Sequence, residues 1–345
     1  MNPKPDIYTI NSNAIQFLSL KNAFELSRLF DYEFSSFKRT IEKASYRTFK
    51  IPKAKGGFRT IEAPKENLIF IQKNLNTYLQ AVYCKIKPSS AYGFVKSLKD
   101  ETHPRTILSN ASSHTGKNYV LNIDLKDFFH AISANQVKAL FLTSPFNFNE
   151  DLATCLALIC CWNKRLPMGA PTSPVVSNLY CLRLDEQLIA IAGRYNLDYT
   201  RYADDLTFSS ELLISEEAIA AIKNSAAENG FLINERKFRM QSKFSRQIVT
   251  GIKVNQKPNV DRRYIRKIRA ILNDAKWNGL EKAAIKHYKV KEADEQLIDT
   301  FLLSLRGKII FIGQVRGKED SIYTKLRYEL SLYQPALPSK YRTKI

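Results

Sequence analysis

Apolar residues along the chain recur at two spacings, one typical of amphipathic helices and the other typical of β-strands. The helical spacing predicts helices over residues 23–45, 68–83, 134–142, 150–161, 175–192 and 216–228. Short β-rich runs predict strands over residues 59–62, 119–124, 199–203, 206–210 and 248–254. This mixture of helices and short strands predicts an α+β fold with a small, mostly antiparallel sheet.

Beyond residue 260 the pattern is almost wholly helical. Over residues 261–275 one stripe of the predicted helix carries Tyr264, Ile268, Ile271, Leu272 and Ala275. The other positions are crowded with five cations: Arg262, Arg263, Arg266, Lys267 and Arg269. One face can therefore pack against the protein while the other meets phosphate groups. The alternative is a face that is only solvated, although five like charges repel unless a partner neutralises them.

Charge is the feature of the composition that changes this picture. The 345 residues include 53 Lys and Arg against 33 Asp and Glu, for a formal net charge of +20. A surplus this large favours a polyanionic partner, with nucleic acid as the first candidate, over a surface that is basic for solubility alone. Residues 231–345 hold 26 basic and 11 acidic side chains, so we expect the polyanion to bind most strongly there.

Several classes of protein are disfavoured. The longest apolar stretch, residues 152–162, is about half of the roughly 20 residues that a membrane-spanning helix needs. The N-terminus lacks the basic start and apolar run of a secretory signal. The five cysteines form no CxxC pair and there are four histidines, which argues against a zinc site or a disulfide framework. The sequence predicts a reduced, cytoplasmic protein of about two packed domains.

Two acidic clusters are embedded in apolar strand sequence. Asp124 ends one β-rich run, and Ala203-Asp204-Asp205 lies between two others, which predicts a hairpin with adjacent carboxylates at its tip. Adjacent aspartates repel each other, and divalent cations are the natural compensation. Carboxylate oxygens suit Mg²⁺, and two ions about 3.5–4 Å apart can activate a sugar hydroxyl and stabilise a leaving pyrophosphate.

At these residues the sequence resembles the reverse transcriptases. Tyr202-Ala203-Asp204-Asp205 matches their palm motif, and Asp124 lies where their first palm aspartate is found. Other motifs follow in the family's order: GGFRTIEAP at 56–64, LPMGAPTSP at 166–174 with Asn178 beyond it, and GFLINERK at 230–237. Asn110-Ala111-Ser112-Ser113-His114 and Val249-Thr250-Gly251 resemble the NAxxH and VTG motifs of bacterial retron reverse transcriptases.

The resemblance covers about residues 50–255 and implies a right-hand polymerase fold. Residues 1–255 would form an N-terminal segment, fingers and palm, the palm with a small antiparallel sheet. Residues 256–345 would form a basic, helical, RNA-binding thumb that carries the five cations named above.

The resemblance also implies a role for each matched residue. Asp124 and Asp204 would ligate two Mg²⁺ ions, for which Mn²⁺ could substitute. Asp205 would be an auxiliary ligand, the Leu125 carbonyl a further one, and Lys237 a general acid toward pyrophosphate. The remaining assignments are nucleotide binding by Arg59, Phe129, Met168 and Gly169, and RNA binding by Asn110 and His114.

Two of the nucleotide-binding assignments carry a physical expectation. Phe129 matches the bulky side chain that excludes a ribose 2′-hydroxyl, and either Phe128 or Phe129 is expected to belong to the core because neighbours alternate faces. The family commonly has Gln where this chain has Met168. Methionine cannot donate an amide hydrogen bond, so the grip on the nucleotide or the fidelity is expected to differ.

Retron enzymes, by this resemblance, prime from the 2′-hydroxyl of an internal guanosine in a structured noncoding RNA. They copy part of that RNA from deoxynucleoside triphosphates into branched, RNA-linked msDNA, and act with an effector protein in antiphage defence. A group II intron-like or other defence enzyme that makes unbranched DNA remains an alternative. An RNA-templated RNA polymerase fits less well, and the non-enzymatic alternative is an RNA-binding scaffold that tethers a toxin.

Overall fold

A computed structural model describes residues 4–53 and 56–333. The chain divides into two compact units. Unit 1 contains the residues up to Ser113 together with Asn118–Gln241, and unit 2 contains His114–Lys117 and the residues from Ser242 onward. The predicted functional boundary between residues 255 and 256 lies inside unit 2 and stays a prediction. The part of the predicted thumb at residues 334–345 lies outside the described residues.

Unit 1 is an α+β unit, which confirms the predicted class. Its helices are α1 (Ile7–Leu18), α2 (Ala23–Leu29), α3 (Phe34–Glu42), α4 (Glu66–Ile86), α5 (Ile107–Ser112), α6 (Ala134–Leu142), α7 (Glu150–Cys160), α8 (Ser173–Tyr180), α9 (Leu182–Arg194) and α10 (Glu216–Glu228). Its strands are β1 (Tyr46–Pro52), β2 (Phe58–Pro64), β3 (Tyr119–Asp124), β4 (Asp198–Tyr202), β5 (Asp205–Ser210) and β6 (Arg239–Ser242), the last of which ends at the first residue of unit 2.

The four-stranded sheet of unit 1 has the order β4-β5-β3-β6, and the register pairs Leu121 with Phe208 and Ile123 with Leu206 across β3 and β5. These apolar pairs are fully buried in the hydrophobic core. The ring of Tyr199 in β4 stacks on Phe208 with centroids 4.8 Å apart. The sheet is therefore anchored by its core side chains, and its strand ends present polar residues.

The predicted helix over residues 23–45 is two helices in the structure. Asp31 has φ +52°, a left-handed conformation that cannot continue a helix, so α2 ends before it. The Glu33 carboxylate then caps α3 by accepting hydrogen bonds from the Ser35 and Ser36 amides, at 2.7 and 2.6 Å. A local turn and its cap divide a pattern whose apolar spacing is continuous.

Unit 2 is mainly helical, as predicted for the chain after residue 260. It contains β7 (Ile248–Val249), β8 (Ile252–Lys253), α11 (Arg262–Tyr288), α12 (Glu295–Arg316) and α13 (Ser321–Ser331). Helix α11 is kinked at Gly279, whose φ of +84° is non-helical. Gly313 of α12 lies so close to the Tyr323 ring of α13 that a Cβ there would be 2.5 Å from it.

Within the described part of the chain, every helix is too short or too polar to cross a membrane.

Candidate active site

The predicted hairpin with carboxylates at its tip is confirmed. Tyr202 of β4 pairs with Asp205 of β5, which leaves Ala203 and Asp204 as a two-residue turn. Ala203 has φ +59° and is not a glycine, so the turn holds a residue in a conformation that costs about 1–3 kcal/mol. Tight hairpin turns need such positive φ values, and here the turn places Asp204 at the tip.

Asp124 and Asp205 face each other across two neighbouring strands. Asp124 is the last residue of β3 and the register partner of Asp205, the first residue of β5. The Leu125 amide donates a hydrogen bond to the Asp204 carbonyl at 2.9 Å, which ties the end of β3 to the turn. Three carboxylates from two segments far apart in sequence therefore meet at one end of the two central strands.

The crowding of these carboxylates alters their acidity. Desolvation raises the pKa of Asp204 above its ordinary value, and the nearby Asp124 charge raises it further, while the Arg59 and Lys237 charges oppose this. Desolvation, followed by the charges of Asp204 and Asp124, raises the pKa of Asp205 to about 6. The cluster concentrates more negative charge than its surroundings balance.

Lys237 is brought to this cluster by a short segment that pairs with the end of β3. The Lys126 amide donates to the Leu232 carbonyl and the Asn234 amide to the Asp124 carbonyl, each at 2.8 Å. A turn from Asn234 to Lys237 then returns the chain toward Asp124. The Lys237 ammonium forms an ion pair with Asp124 Oδ1, and Asn234 Nδ2 donates to Oδ2 at 3.1 Å. The Lys237 side chain keeps 54% of its surface exposed and the Asp124 side chain 9%, so solvent reaches this ion pair from the lysine.

A second ion pair lies beneath the turn and is fully buried. Arg201 of β4 donates to both Asp185 oxygens of α9, at 2.8 and 2.6 Å, and neither side chain has any exposed surface. The Tyr199 hydroxyl also donates to Asp185, at 2.8 Å. Arg201 Nη1 donates to the Asn178 side chain at 2.9 Å and to the Ala203 carbonyl at 3.3 Å. The buried pair is therefore bonded directly to the residue in the strained conformation.

Gly93 allows the backbone to approach this turn closely. A Cβ at this position would lie 2.4 Å from the Ala203 nitrogen, a distance that real side chains do not adopt. The Gly93 carbonyl accepts a hydrogen bond from Asn178 Nδ2 at 2.9 Å. The turn is thus held from below by a charged network and from the side by packed main chain.

The predicted nucleotide-binding residues lie in three segments of unit 1. Arg59 is exposed on β2, and its charge reaches Asp204. Phe128 is buried and stacks on Phe231 with centroids 5.5 Å apart, so it is the core member of the Phe pair. Phe129 is half-buried, with its ring 5.9 Å from that of Phe94. Its role toward the sugar stays a prediction.

The third segment is the loop of Met168 and Gly169, which runs against β2. The Glu62 amide donates to the Met168 carbonyl at 2.8 Å. A Cβ on Gly169 would lie 2.8 Å from Ile61 Cγ2 and 2.9 Å from the Glu62 carbonyl oxygen, and its φ is +137°. Both the space and the conformation therefore require glycine here.

A profile of the family described as reverse transcriptase (RNA-dependent DNA polymerase) matches residues 51–260, more than half of the chain. The retron Ec86 reverse transcriptase of Escherichia coli is 35% identical over 233 residues, which cover 65% of this chain and 68% of that protein. The chain belongs to the bacterial retron reverse transcriptases. The retron Mx65 reverse transcriptase of Myxococcus xanthus is 34% identical over 248 residues, 66% of this chain. Membership confirms the right-hand polymerase fold that the resemblance implies for these residues.

The alignment with the Mx65 protein covers 55% of that protein's length, so the chain spans about half of this relative. Among solved structures, telomerase from Candida albicans in complex with a telomeric RNA fragment aligns with 86% of this chain and 60% of its own. The TM-score is 0.44 and the identity 11%, a similarity too low to support an argument about this chain.

The basic face of the retron reverse transcriptase is exposed, as the helical pattern predicts. All five cations of α11 lie on its solvent side: Arg262, Arg263, Arg266, Lys267 and Arg269. Ile265, Ile268 and Leu272 are buried on the opposite side. Desolvation lowers the pKa of Lys308 and of His287, and the positive charge of Lys267 lowers both further. Positive charges in unit 2 are therefore close enough to repel one another.

Asn110 and His114 do not lie on that surface. Asn110 is 1% exposed and His114 has no exposed surface. Direct RNA contact requires accessible side-chain atoms, which neither residue presents in this structure, and their predicted RNA-binding role stays a prediction.

The three carboxylates at the strand ends are candidate ligands for divalent cations. As its side chains stand, the described part of the chain holds no group of three or more His, Cys, Asp or Glu residues arranged to bind a metal ion. The donor chemistry nevertheless fits, because Asp124, Asp204 and Asp205 offer hard carboxylate oxygens of the kind that Mg²⁺ prefers. Desolvation, and after it the charges of the neighbouring aspartates, raises the pKa of Asp204 and of Asp205, and a bound cation would offset both effects.

Sequence reasoning missed the two buried charged clusters of unit 1. Arg201 is the one cation in β4, a strand buried at residues 199–201, and a lone cation in a buried strand is a signal that a buried partner exists. Its partner Asp185 is in a helix and carries no local signal. Glu62, which pairs with His130 and Arg165, was likewise hidden among the residues of a motif.

Proposed function

We propose that this retron reverse transcriptase is an RNA-directed DNA polymerase that copies a structured noncoding RNA into DNA. One observation carries the proposal: Asp124, Asp204 and Asp205 lie together at one end of the central strands β3 and β5, with Lys237 beside them. A scaffold protein has no physical need for unbalanced carboxylates held on a strained turn. Membership in the retron reverse transcriptases supports the same activity.

In the proposed mechanism Asp124 and Asp204 hold two divalent cations, Mg²⁺ or in its place Mn²⁺, with Asp205 and the Leu125 carbonyl as further ligands. When bound, these ions would activate the attacking hydroxyl and stabilise the leaving pyrophosphate. Lys237 would donate a proton to that pyrophosphate, for which its exposed side chain is suited. The Ala203 turn would keep Asp204 in position throughout.

The incoming deoxynucleoside triphosphate would be bound from the β2 side. Arg59 would contact its β- and γ-phosphates, since a guanidinium matches phosphate oxygens. Phe129 would exclude a ribose 2′-hydroxyl, and the Met168–Gly169 loop would contact the base pair. This role of Phe129 is tested by comparing kcat/KM for a deoxynucleotide with that for its ribonucleotide, in the wild type and in Phe129→Ala. A loss of discrimination is expected, and an unchanged ratio would remove Phe129 from this role.

The five cations of α11 would bind RNA phosphates. Each neutralised phosphate adds nearly one unit to the slope of log affinity against log salt concentration. Changing Arg263, Arg266 and Lys267 to Gln should therefore flatten that slope by about two to three units. Glutamine is a good helix former, so circular dichroism should show an intact helix. An unchanged slope would mean that this face is only solvated.

The finer retron biology is also proposed by relation to the family. Priming would start at the 2′-hydroxyl of an internal guanosine, and the product would be branched msDNA. The protein would act in the cytoplasm in antiphage defence together with an effector protein.

The proposal is tested with purified protein, the structured RNA encoded beside its gene, deoxynucleoside triphosphates and Mg²⁺. DNA that stays linked to RNA after denaturation, and that shortens with ribonuclease, is the expected product. DNA free of RNA would favour the intron-like alternative that makes unbranched product. RNA binding without DNA synthesis would favour the scaffold that tethers a toxin.

A further inference from the structure

Glu62 is a buried carboxylate that the proposed mechanism does not use. It lies in β2, three residues after Arg59, and its side chain is 6% exposed. Each of its oxygens has a different partner: Oε2 is 3.1 Å from His130 Nε2, and Oε1 accepts from Arg165 Nη2 at 3.2 Å. A buried carboxylate with two basic partners is a directional, charge-assisted junction rather than a packing contact.

The three residues of this cluster come from three different segments. Glu62 belongs to the strand of Arg59, and His130 directly follows Phe129. Arg165 precedes the loop of Met168 and is held by main-chain hydrogen bonds in both directions with Trp162, at 2.8 and 3.1 Å. The carboxylate therefore joins the three segments that carry the candidate nucleotide-binding residues.

The main chain of Glu62 makes the same connection. Its amide donates to the Met168 carbonyl, and its carbonyl lies against Gly169, where no Cβ would fit. The Arg165 segment is joined to the Phe129 segment as well, because the Leu166 amide donates to the Ile132 carbonyl at 3.0 Å. Movement of any one segment would therefore strain contacts to the other two.

We propose that Glu62, with His130 and Arg165, is a positioning cluster that sets the spacing between the Arg59 strand and the Phe129 and Met168 loops. The cluster thereby determines nucleotide affinity and discrimination between sugars, without touching the nucleotide. This inference rests on the proposed polymerase function. It predicts a role in binding the nucleotide rather than in the chemical step, because the carboxylate turn is held by separate contacts through Arg201 and Asn178.

The test is Glu62→Gln, which preserves size and removes the charge. We expect the KM for deoxynucleotides to rise roughly tenfold, the effect of weakening charge-assisted hydrogen bonds. The kcat should stay within about threefold of wild type, and discrimination against ribonucleotides should fall. A merely structural role would lower the melting temperature without moving KM apart from kcat.

The matched control is Glu101→Gln, which removes the charge from another mostly buried ion pair of unit 1. Glu101 pairs with Lys87 at 3.4 Å, and both side chains are about 15% exposed or less. This variant should leave KM and sugar discrimination unchanged. If it alters them as much as Glu62→Gln does, the effect belongs to general destabilisation and the inference is wrong.

Two further substitutions test the Glu62–His130 and Glu62–Arg165 contacts separately, and they replace Glu62→Gln if that variant does not fold. His130→Asn should weaken sugar discrimination most, since His130 adjoins Phe129. Arg165→Gln should raise KM for both sugars alike, and Arg165→Lys, which keeps the charge, should restore much of the affinity. Wild-type KM and sugar discrimination in Glu62→Gln, His130→Asn and Arg165→Gln would overturn the inference. A wild-type protein that extends no primer would instead overturn the proposed function.

Discussion

Two ion pairs adjoin the Ala203–Asp204 turn and differ in their access to water. Arg201 and Asp185 have no exposed surface, and every oxygen of that carboxylate is hydrogen-bonded. Lys237 and Asp124 form a pair in which the lysine side chain is 54% exposed. Both pairs join an aspartate to a cation, but the Arg201 guanidinium contacts both Asp185 oxygens whereas Lys237 contacts one Asp124 oxygen.

This difference assigns the pairs to different tasks. A buried charge that loses its partner cannot be solvated, so the Arg201–Asp185 pair cannot exchange partners without unfolding its surroundings. In the Lys237–Asp124 pair the lysine side chain is 54% exposed but the Asp124 side chain only 9%, so the lysine can reach solvent while its release leaves a mostly buried carboxylate. The buried pair therefore fixes the turn, and the carboxylates on the open side are available for the substrate and cations that we propose they bind.

The largest expected effect is the loss of DNA synthesis in Asp204→Asn. The proposed cation site needs the carboxylate charge, so primer extension with Mg²⁺ should fall by several decades, on the order of a thousandfold or more. The cations of α11, which we propose bind RNA, are untouched, and RNA affinity should remain near wild type. Retention of more than about a tenth of the activity would contradict the assignment.

The next effect is on stability and comes from the buried side. Asp185→Asn leaves Arg201 buried without a full countercharge, and we expect a loss of about 3–5 kcal/mol in the free energy of unfolding. The matched change on the open side is Lys237→Gln, which should cost less than Asp185→Asn, because the lysine side chain is 54% exposed and Asn234 still donates to Asp124. Urea denaturation followed by circular dichroism measures both, and equal losses would erase the distinction between the two sides.

The sequence predicts the open side far better than the buried side. Asp124, Asp204 and Asp205 stand out because charged carboxylates are unfavourable within apolar strand sequence. A hairpin turn, which places carboxylates at the ends of the strands, removes this conflict. Lys237 was identified only through the family motif. Its contact with Asp124 depends on main-chain pairing between Leu232–Asn234 and the end of β3, which are about a hundred residues apart.

The buried network could not be predicted for a related reason. Arg201 and Asp185 lie in elements whose packing depends on the whole core, and the spacing between them has no period that marks a contact. The helices α6 and α10 and the strand β3 have the predicted bounds because their patterns are local. The division of residues 23–45 was missed because one residue, Asp31, adopts a left-handed conformation.

Lys237→Gln should show the opposite balance to Asp185→Asn, with a large effect on catalysis and a small one on folding. A general acid contributes at least about a hundredfold to a proton-transfer step, so kcat should fall by that order while the nucleotide KM changes little. Single-turnover primer extension isolates the chemical step from product release. A kcat within about threefold of wild type would exclude proton donation by Lys237.

The smallest expected effect gives the sharpest comparison of the two sides. The same Asp→Asn substitution should raise the free energy of unfolding at Asp205 and lower it at Asp185. Asp205 has its pKa raised to about 6 from an ordinary 3.8 by desolvation and by the Asp204 and Asp124 charges. Between these two pH values the native state binds more protons than the unfolded state, so stability falls as the pH rises through about 6. In the metal-free protein at pH 7.5, Asp205→Asn should therefore be more stable than wild type, whereas Asp185→Asn is less stable.

The pH dependence distinguishes this repulsion from a simple packing change. The stability gain of Asp205→Asn should shrink as the pH is lowered from 7.5 to 5, because the wild-type carboxyl becomes neutral over that range. Urea titrations at pH 7.5, 6 and 5 in the presence of a chelator measure the difference directly. A gain that does not depend on pH would mean that the asparagine merely packs better, and a loss at pH 7.5 would mean that the Asp205 charge stabilises the fold. The expected result is that the carboxylates on the open side are held at a cost in stability, and that the buried pair on the other side offsets it.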